Sequence, residues 1–328
     1  MKKKNSVKIL TGSLAAFLFV AASSDLSALS LNTESELSFS GGWRQDHYRS
    51  FVTDNLDSDT DLVKGSNLNI WQLGVQGWVS PDFGSCDTFF NNFFARGSAY
   101  WGWVNSGVYL HKVVTVVPGA PTTNTIDRGD ISRGHTWDYN VGGGYLFDLG
   151  CNFKAGPTGG YSYNKLTFKG ENIVGVIDTV NTSTALDTLA YFDEGVLISS
   201  KWQGPWAGAD LFWESCGWSI YASYEYHWLR QNGSYISSST NLTDDSHFSD
   251  VITGRKGYGH TGYFGTHYFA GNVIAGFGVK YNYFRIKGHL RPTVSGGFPA
   301  VGGSASEVDH VKDMWNSVSV YADLGYTF

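Results

Sequence analysis

Eight side chains that carry charge or move protons fall on the polar parity of alternating segments: Arg44, Arg96, Asp138, Lys154, Glu225, His227, Lys280 and Asp323. In a strand, residues two apart share a face, so these groups turn toward one common interior. Mixed charge in a narrow enclosure does one of two things. It lines a small aqueous channel, or it pairs up and fills the space. The other reactive groups are three cysteines, Cys86, Cys151 and Cys216. An odd count leaves one thiol over whatever the pairing. There is no Walker loop, no zinc-spaced Cys/His set and no nucleophile elbow, so no cofactor and no metal is expected. Arg128-Gly129-Asp130 reads as an adhesion tripeptide only by a short match that chance explains better. Asp57, Asp59 and Asp61 alternate like calcium ligands but lack the Gly and distal Glu of a calcium loop, so a solvated acidic loop is the plainer reading.

The elements that must position these groups are strands. Ten segments alternate: Leu37 to Asp46, Asn69 to Val79, Thr88 to Val104, Thr136 to Phe147, Asn152 to Phe168, Lys201 to Phe212, Trp218 to Trp228, Tyr258 to Phe269, Val273 to Arg285, and Asn316 to Phe328. The last is the cleanest. Val318, Val320, Ala322, Leu324, Tyr326 and Phe328 share one face; Ser317, Ser319, Tyr321, Asp323, Gly325 and Thr327 share the other. The sixth is ambiguous, because Pro205 interrupts it and Trp202, Trp206 and Phe212 share parity with Asp210. Gaps between segments alternate in size. Short ones run over 80–87, 148–151, 213–217 and 270–272; long ones over 47–66, 105–135, 169–199, 230–257 and 288–314. Short turns on one rim and long loops on the other, with an even strand count, describe an all-β transmembrane antiparallel up-and-down barrel of about ten strands. Its turns would be periplasmic and its loops extracellular.

Composition agrees. Charged residues are 16% and aromatics also 16%, with 41 glycines and 7 prolines. Soluble domains carry about 25% charged residues. Beyond the first residues no apolar run is long enough for a spanning helix. Residues 1–28 read as a signal peptide, with Lys2, Lys3, Lys4 and Lys8 before the apolar stretch Ile9 to Ala22 and cleavage between 22 and 30. Residues 29–328 then form a single barrel domain in the outer membrane. A net charge of −6 gives no reason to expect nucleic acid. The thiols all fall in or beside short turns, on the periplasmic rim. Consecutive ones lie two strands apart, about 10 Å at ~4.8 Å per strand. That makes an internal bridge awkward, which leaves two expectations, disulfides to neighbouring molecules or unpaired thiols at the turns.

The topology, the closing "GYTF", "TWDYNVGGGYLFDLGCNFKAG" and "GPWAGADLFWESCGWSIYASYEYHW" resemble the omptins, the ten-stranded outer-membrane proteases. The chain also looks like the Protochlamydia outer membrane protein family, some of which are porin-like. The Tyr326 and Phe328 ending is of the kind such barrels carry, which implies outer-membrane lipid and the barrel assembly machinery as partners. The omptin resemblance implies a carboxylate pair on the second outer loop and an Asp-x-His on the fourth. Asp245-Ser246-His247 matches the latter. Asp127 and Asp130 lie in the second loop but do not match the Asp-x-Asp spacing, and Asn105, Ser106 and Tyr109 stand where the pair would follow the third strand. The leading expectation is therefore a non-enzymatic surface barrel, porin-like or structural. The alternatives are an omptin-type protease using Asp245 and His247, and an adhesin or ligand-binding barrel.

Overall fold

The computed structural model describes residues 32–53, 59–82, 92–115, 123–179, 188–192, 196–241, 244–295 and 308–328. Cys86, Asp57 and the signal segment lie outside them. The described chain is almost wholly strand. Its elements are β1 (Asn32–Thr53), β2 (Asp59–Asp82), β3 (Phe93–Thr115), β4 (Thr123–Tyr145), β5 (Phe147–Gly150), β6 (Phe153–Thr179), β7 (Thr188–Phe192), β8 (Val196–Ser215), β9 (Trp218–Asn241), β10 (Asp244–Ala270), β11 (Val273–Ser295) and β12 (Val308–Thr327). Each long strand pairs antiparallel with its neighbours, β1 pairs with β12, and β4 pairs with β6 across the remaining gap. The ring of ten long strands is thus closed, with no free edge to satisfy. The short β5 continues β4 into the turn, and β7 adds to β6 at the far end.

Tight turns hold the periplasmic rim. Ser215 pairs with Trp218 around Cys216-Gly217, and Gly150 with Phe153 around Cys151-Asn152. All four intervening residues have positive φ, between 51° and 79°. That is the two-residue hairpin whose twist matches the flanking strands. Cysteine is an unusual occupant of such a position, which Gly, Asn and Asp ordinarily fill.

Ten-residue intervals set the lipid-facing band. Phe93 to Trp103, Trp137 to Phe147, Phe153 to Tyr163, Trp218 to Trp228 and Tyr258 to Tyr268 each run from one aromatic to another on the outward parity. Ten residues at ~3.4 Å, tilted by ~40°, span about 26 Å, the height of a bilayer's apolar core. Between the two girdles lie exposed Leu73, Val141, Leu211, Phe264 and Phe277, with Ser38, Ser162, Ser223 and Asn282 buried on the lumen side.

Above the upper girdle the pattern inverts. On β6 the lumen parity that carries Ser162 and Asn164 continues into Leu166 and Phe168, both fully buried, while Lys169 faces outward. On β11 Asn282 gives way to Phe284 and Ile286; on β12 Ser319 and Ser317 give way to Trp315 and Val311. Each wall therefore faces hydrocarbon outside and polar groups inside within the band, then water outside and a greasy core inside beyond it. The segments read from the sequence as long outer loops are largely these strand extensions. Residues 47–53, 59–66, 105–115, 123–135, 169–179, 230–241, 244–257, 288–295 and 308–314 are all strand. The reassignment includes Arg128-Gly129-Asp130, which lies in β4 with Gly129 opposite Tyr109, and Asp59 and Asp61, which lie in β2.

Candidate functional site: a three-layered lumen

From the periplasm inward, the first layer is an open vestibule of about 1100 Å³. Its mouth is bordered by the tight turns and by Phe328, and Lys154 stands exposed there. Its inner end reaches Arg96, Asn140, Glu225 and Lys280.

The second layer is an ion-pair lattice. Arg44, nearly inaccessible, makes a bidentate contact with Asp46, both bonds 2.6 Å, and also donates to Asp138. Its guanidinium lies over the Trp315 ring at 4.8 Å, and Trp315 Nε1 donates to the same Asp46 at 3.0 Å. Planar guanidinium suits this combined fork and stack as an ammonium would not. Across the lumen, Arg96 donates to Glu225 at 2.8 Å and to the Tyr221 oxygen, lies 3.3 Å from Asp210, and covers the Trp206 ring. Asn140 Nδ2 donates to both Glu225 oxygens, at 3.1 and 2.9 Å. His227 bridges Glu225, at 3.1 Å from Nε2, and Ser162, at 2.9 Å from Nδ1. A serine, an imidazole and a carboxylate in sequence look like hydrolytic machinery. The space that Ser162 and His227 border holds only about 10 Å³, room for one water and no substrate, while Glu225 opens on the vestibule. Arg96, Asn140 and His227 converge on Glu225 and hold it in place. Asp323 accepts from Ser40, and Lys280 sits 5.8 Å from the Tyr100 ring centre.

The third layer is a dry core. Trp202 and Trp315 stack with centroids 4.9 Å apart and 15° between planes; Phe284 meets Trp315 edge-on at 5.0 Å, and Tyr48 meets both Phe168 and Trp202 edge-on. Leu68, Ile70, Val104, Tyr109, Ile131, Leu166, Leu229 and Ile286 belong to the same cluster. One polar island sits within it, where Asp313 accepts from Tyr48 and Gln231.

All eight charges expected in the interior therefore face it, Lys154 at its mouth. Asp46, Asp210, Trp202 and Trp315 were not assigned to the interior from the sequence. The first two share parity with Arg44 and with the ambiguous tryptophans of β8, which was the available signal. The face of β8, left open by the sequence, is settled: Trp202, Trp206 and Asp210 all point inward. Of the residues named for the protease alternative, the two candidate carboxylates of the second outer segment are not brought together. Asp127 faces inward beside His111, at 3.2 Å, and Asp130 faces outward, so the two carboxylates lie on opposite faces of one strand. Asp245 and His247 belong to β10, paired with Thr240 and Ser238 of β9. Cys151 and Cys216 are exposed free thiols.

A family model described as Protochlamydia outer membrane protein matches residues 38–328. Among solved structures, the outer membrane protease OmpT from Escherichia coli superposes with a TM-score of 0.67 at 11% identity, covering 92% of this chain and 99% of that one. The translocator domain of the autotransporter NalP from Neisseria meningitidis gives 0.32 at 10% identity, with 98% of each chain covered. A FadL homologue of Pseudomonas aeruginosa gives 0.29 at 9% identity, with 90% of each covered. No curated protein matches the sequence.

Proposed function

Since this chain belongs to the Protochlamydia outer membrane protein family and is an outer-membrane barrel of a Gram-negative bacterium, we propose that it serves as a closed structural barrel rather than a conducting pore. The observation that carries this reading is the stacked pair Trp202 and Trp315, with Phe284 and Tyr48 against it, across the lumen beyond the upper girdle. An ion entering there would exchange its hydration for ring faces and aliphatic groups, a transfer costing many kcal/mol. The lattice beneath it ties Arg44, Asp46, Asp138, Arg96, Asp210 and Glu225 into mutual pairs. Reconstituted into planar bilayers, the folded protein is expected to give a silent trace under applied voltage. Regular, reproducible openings would establish the porin-like reading instead.

The rim thiols give the structural role a means of acting. Cys151 and Cys216 are exposed at the tips of turns that face an oxidising compartment. Joining either to a thiol of a neighbouring molecule releases two protons and two electrons to the compartment's oxidants, leaving one S–S bond. Envelopes alkylated at harvest and run without reductant should show ladders that collapse on reduction and that Cys151→Ser/Cys216→Ser diminishes. A band at monomer size in unreduced wild type counts against cross-linking.

A further inference from the structure

On the outer face of the barrel, just above the upper girdle, cations stand in register. Lys256 of β10 lies directly opposite Lys287 of β11, and Lys287 directly opposite Lys312 of β12. Arg230 of β9 flanks Lys256, because Leu229 and Gln231 pair with Gly257 and Gly254 on either side of a bulge. The four make one rung across four strands. Leu229, Gln231, Ile286, Val311 and Asp313 beside them are buried in the lumen, so the rung points outward. Like charges directly opposite one another weaken a sheet. Elsewhere above the girdle the barrel compensates for such a pair. Arg133 and Lys169 are also directly opposed, and Glu171 lies 3.7 Å from the first and 3.4 Å from the second. The rung has no such carboxylate. Among the described side chains of β9 to β12 the acids are Glu225, Asp313 and Asp323, and all three are buried in the lumen, as is Asp46 of the adjoining β1. None of the four cations forms an ion pair with a described residue.

Height identifies the partner. Lys256 stands two residues above Tyr258, and Arg230 two above Trp228, exposed aromatics that mark the hydrocarbon boundary. Two residues at ~3.4 Å, tilted by ~40°, put the rung about 5 Å beyond that boundary, inside the headgroup layer. We propose that Arg230, Lys256, Lys287 and Lys312 seat a diphosphorylated glycolipid of the outer leaflet, the cations taking its phosphates and the rings below taking its acyl chains. Three strand spacings cover about 14 Å, more than a single phosphate fills, so a headgroup with two phosphates set apart matches the rung. The rings form a fixed shelf beneath it. His260 meets Tyr226, Tyr258 and Tyr283 with centroids 5.3, 5.9 and 6.4 Å away, and its Nδ1 lies 2.6 Å from the Tyr224 hydroxyl. This seat is on the outside of the wall, so it is independent of whether the lumen conducts.

The test is native mass spectrometry of the folded full chain in zwitterionic detergent, titrated with diphosphoryl lipid A. A saturable one-to-one adduct is expected, weakened roughly tenfold in Lys256→Gln/Lys287→Gln/Lys312→Gln. Monophosphoryl lipid A should bind about fivefold more weakly than the diphosphoryl form, and phosphatidylglycerol and inorganic phosphate more weakly still. Lys112→Gln/Arg128→Gln removes cations from the same outer face of β3 and β4, well above the leaflet, and should bind as wild type does. Folding is read separately. Without lipid, the triple variant should keep its compact gel band to at least the wild-type temperature, because it relieves like-charge repulsion; added diphosphoryl lipid A should raise that temperature in wild type alone. The proposal is overturned if the triple variant binds within about twofold of wild type, if Lys112→Gln/Arg128→Gln loses as much, or if phosphatidylglycerol or inorganic phosphate displaces the glycolipid at equal concentration.

Discussion

Arg44→Ala should lower the unfolding free energy by roughly 3–5 kcal/mol, the scale expected when one partner of a buried ion pair is removed. Among the described residues Arg44 is the ion-pair partner of both Asp46 and Asp138, and its removal leaves two buried carboxylates facing each other in the lumen. It also strips the cation from the Trp315 ring, which costs a further fraction of a kcal/mol. Urea titration in detergent, followed by loss of the compact gel band, reads the effect. The control decides the cause. Arg44→Ala combined with Asp46→Asn and Asp138→Asn removes the orphaned charge and should recover much of the loss, since replacing all partners of a buried ionic cluster is often close to neutral. If Arg44→Ala alone stays within about 1 kcal/mol of wild type, the lattice is not what orders the lumen.

Trp202→Ala/Trp315→Ala should convert a silent barrel into a leaky one. The two rings are stacked and fully buried in the dry layer, so their truncation leaves a contiguous void joining the polar lattice below to the outer half of the barrel. Each substitution alone costs about 3–5 kcal/mol by lost burial and cavity formation. The pair is in contact, so the double effect is less than the sum or more, and a cycle with both single variants measures which. The conductance readout is separate from stability. Singles that fold and stay silent beside a double that opens would place the seal on this stack. A folded double variant that stays silent would move the seal to Tyr48, Phe168 and their neighbours.

The lumen was legible where one rule governs a strand from end to end. Arg44, Asp138, Glu225 and Lys280 announce their direction because Trp43, Trp137, Tyr224 and Tyr281, each one residue away, are greasy and face lipid. The same rule hid the upper half of the barrel. Leu166 and Phe168 keep the direction of Ser162 and Asn164 but reverse their chemistry, so a search for a constant greasy face ends the strand at the girdle. Irregular pairing compounds this. Register shifts fall between Asp46 and Tyr48 on β1, and between Gly254 and Gly257 on β10, close to where the surrounding solvent changes. A slip of one residue there exchanges the two faces. Trp202 was ambiguous for a different reason, because an indole on the polar side of a strand is consistent with either wall until the ring is closed. The vestibule was legible only in part, through Arg96, Lys154, Glu225 and Lys280. Glu36, Glu214 and His267 belong to β1, β8 and β10, and only the closure of the sheet makes them neighbours.

Because every long ribbon passes unbroken from exterior water through hydrocarbon to the inner rim, the exposed cylinder is no tethered appendage. A sideways push on its tip loads the amide ladders along their whole length, where many rungs resist shear together, and the buried aromatic filling keeps the tube from flattening. Force from a surface contact would therefore arrive at the cysteine-bearing turns with little lost to bending, and whatever those turns are fastened to would bear it.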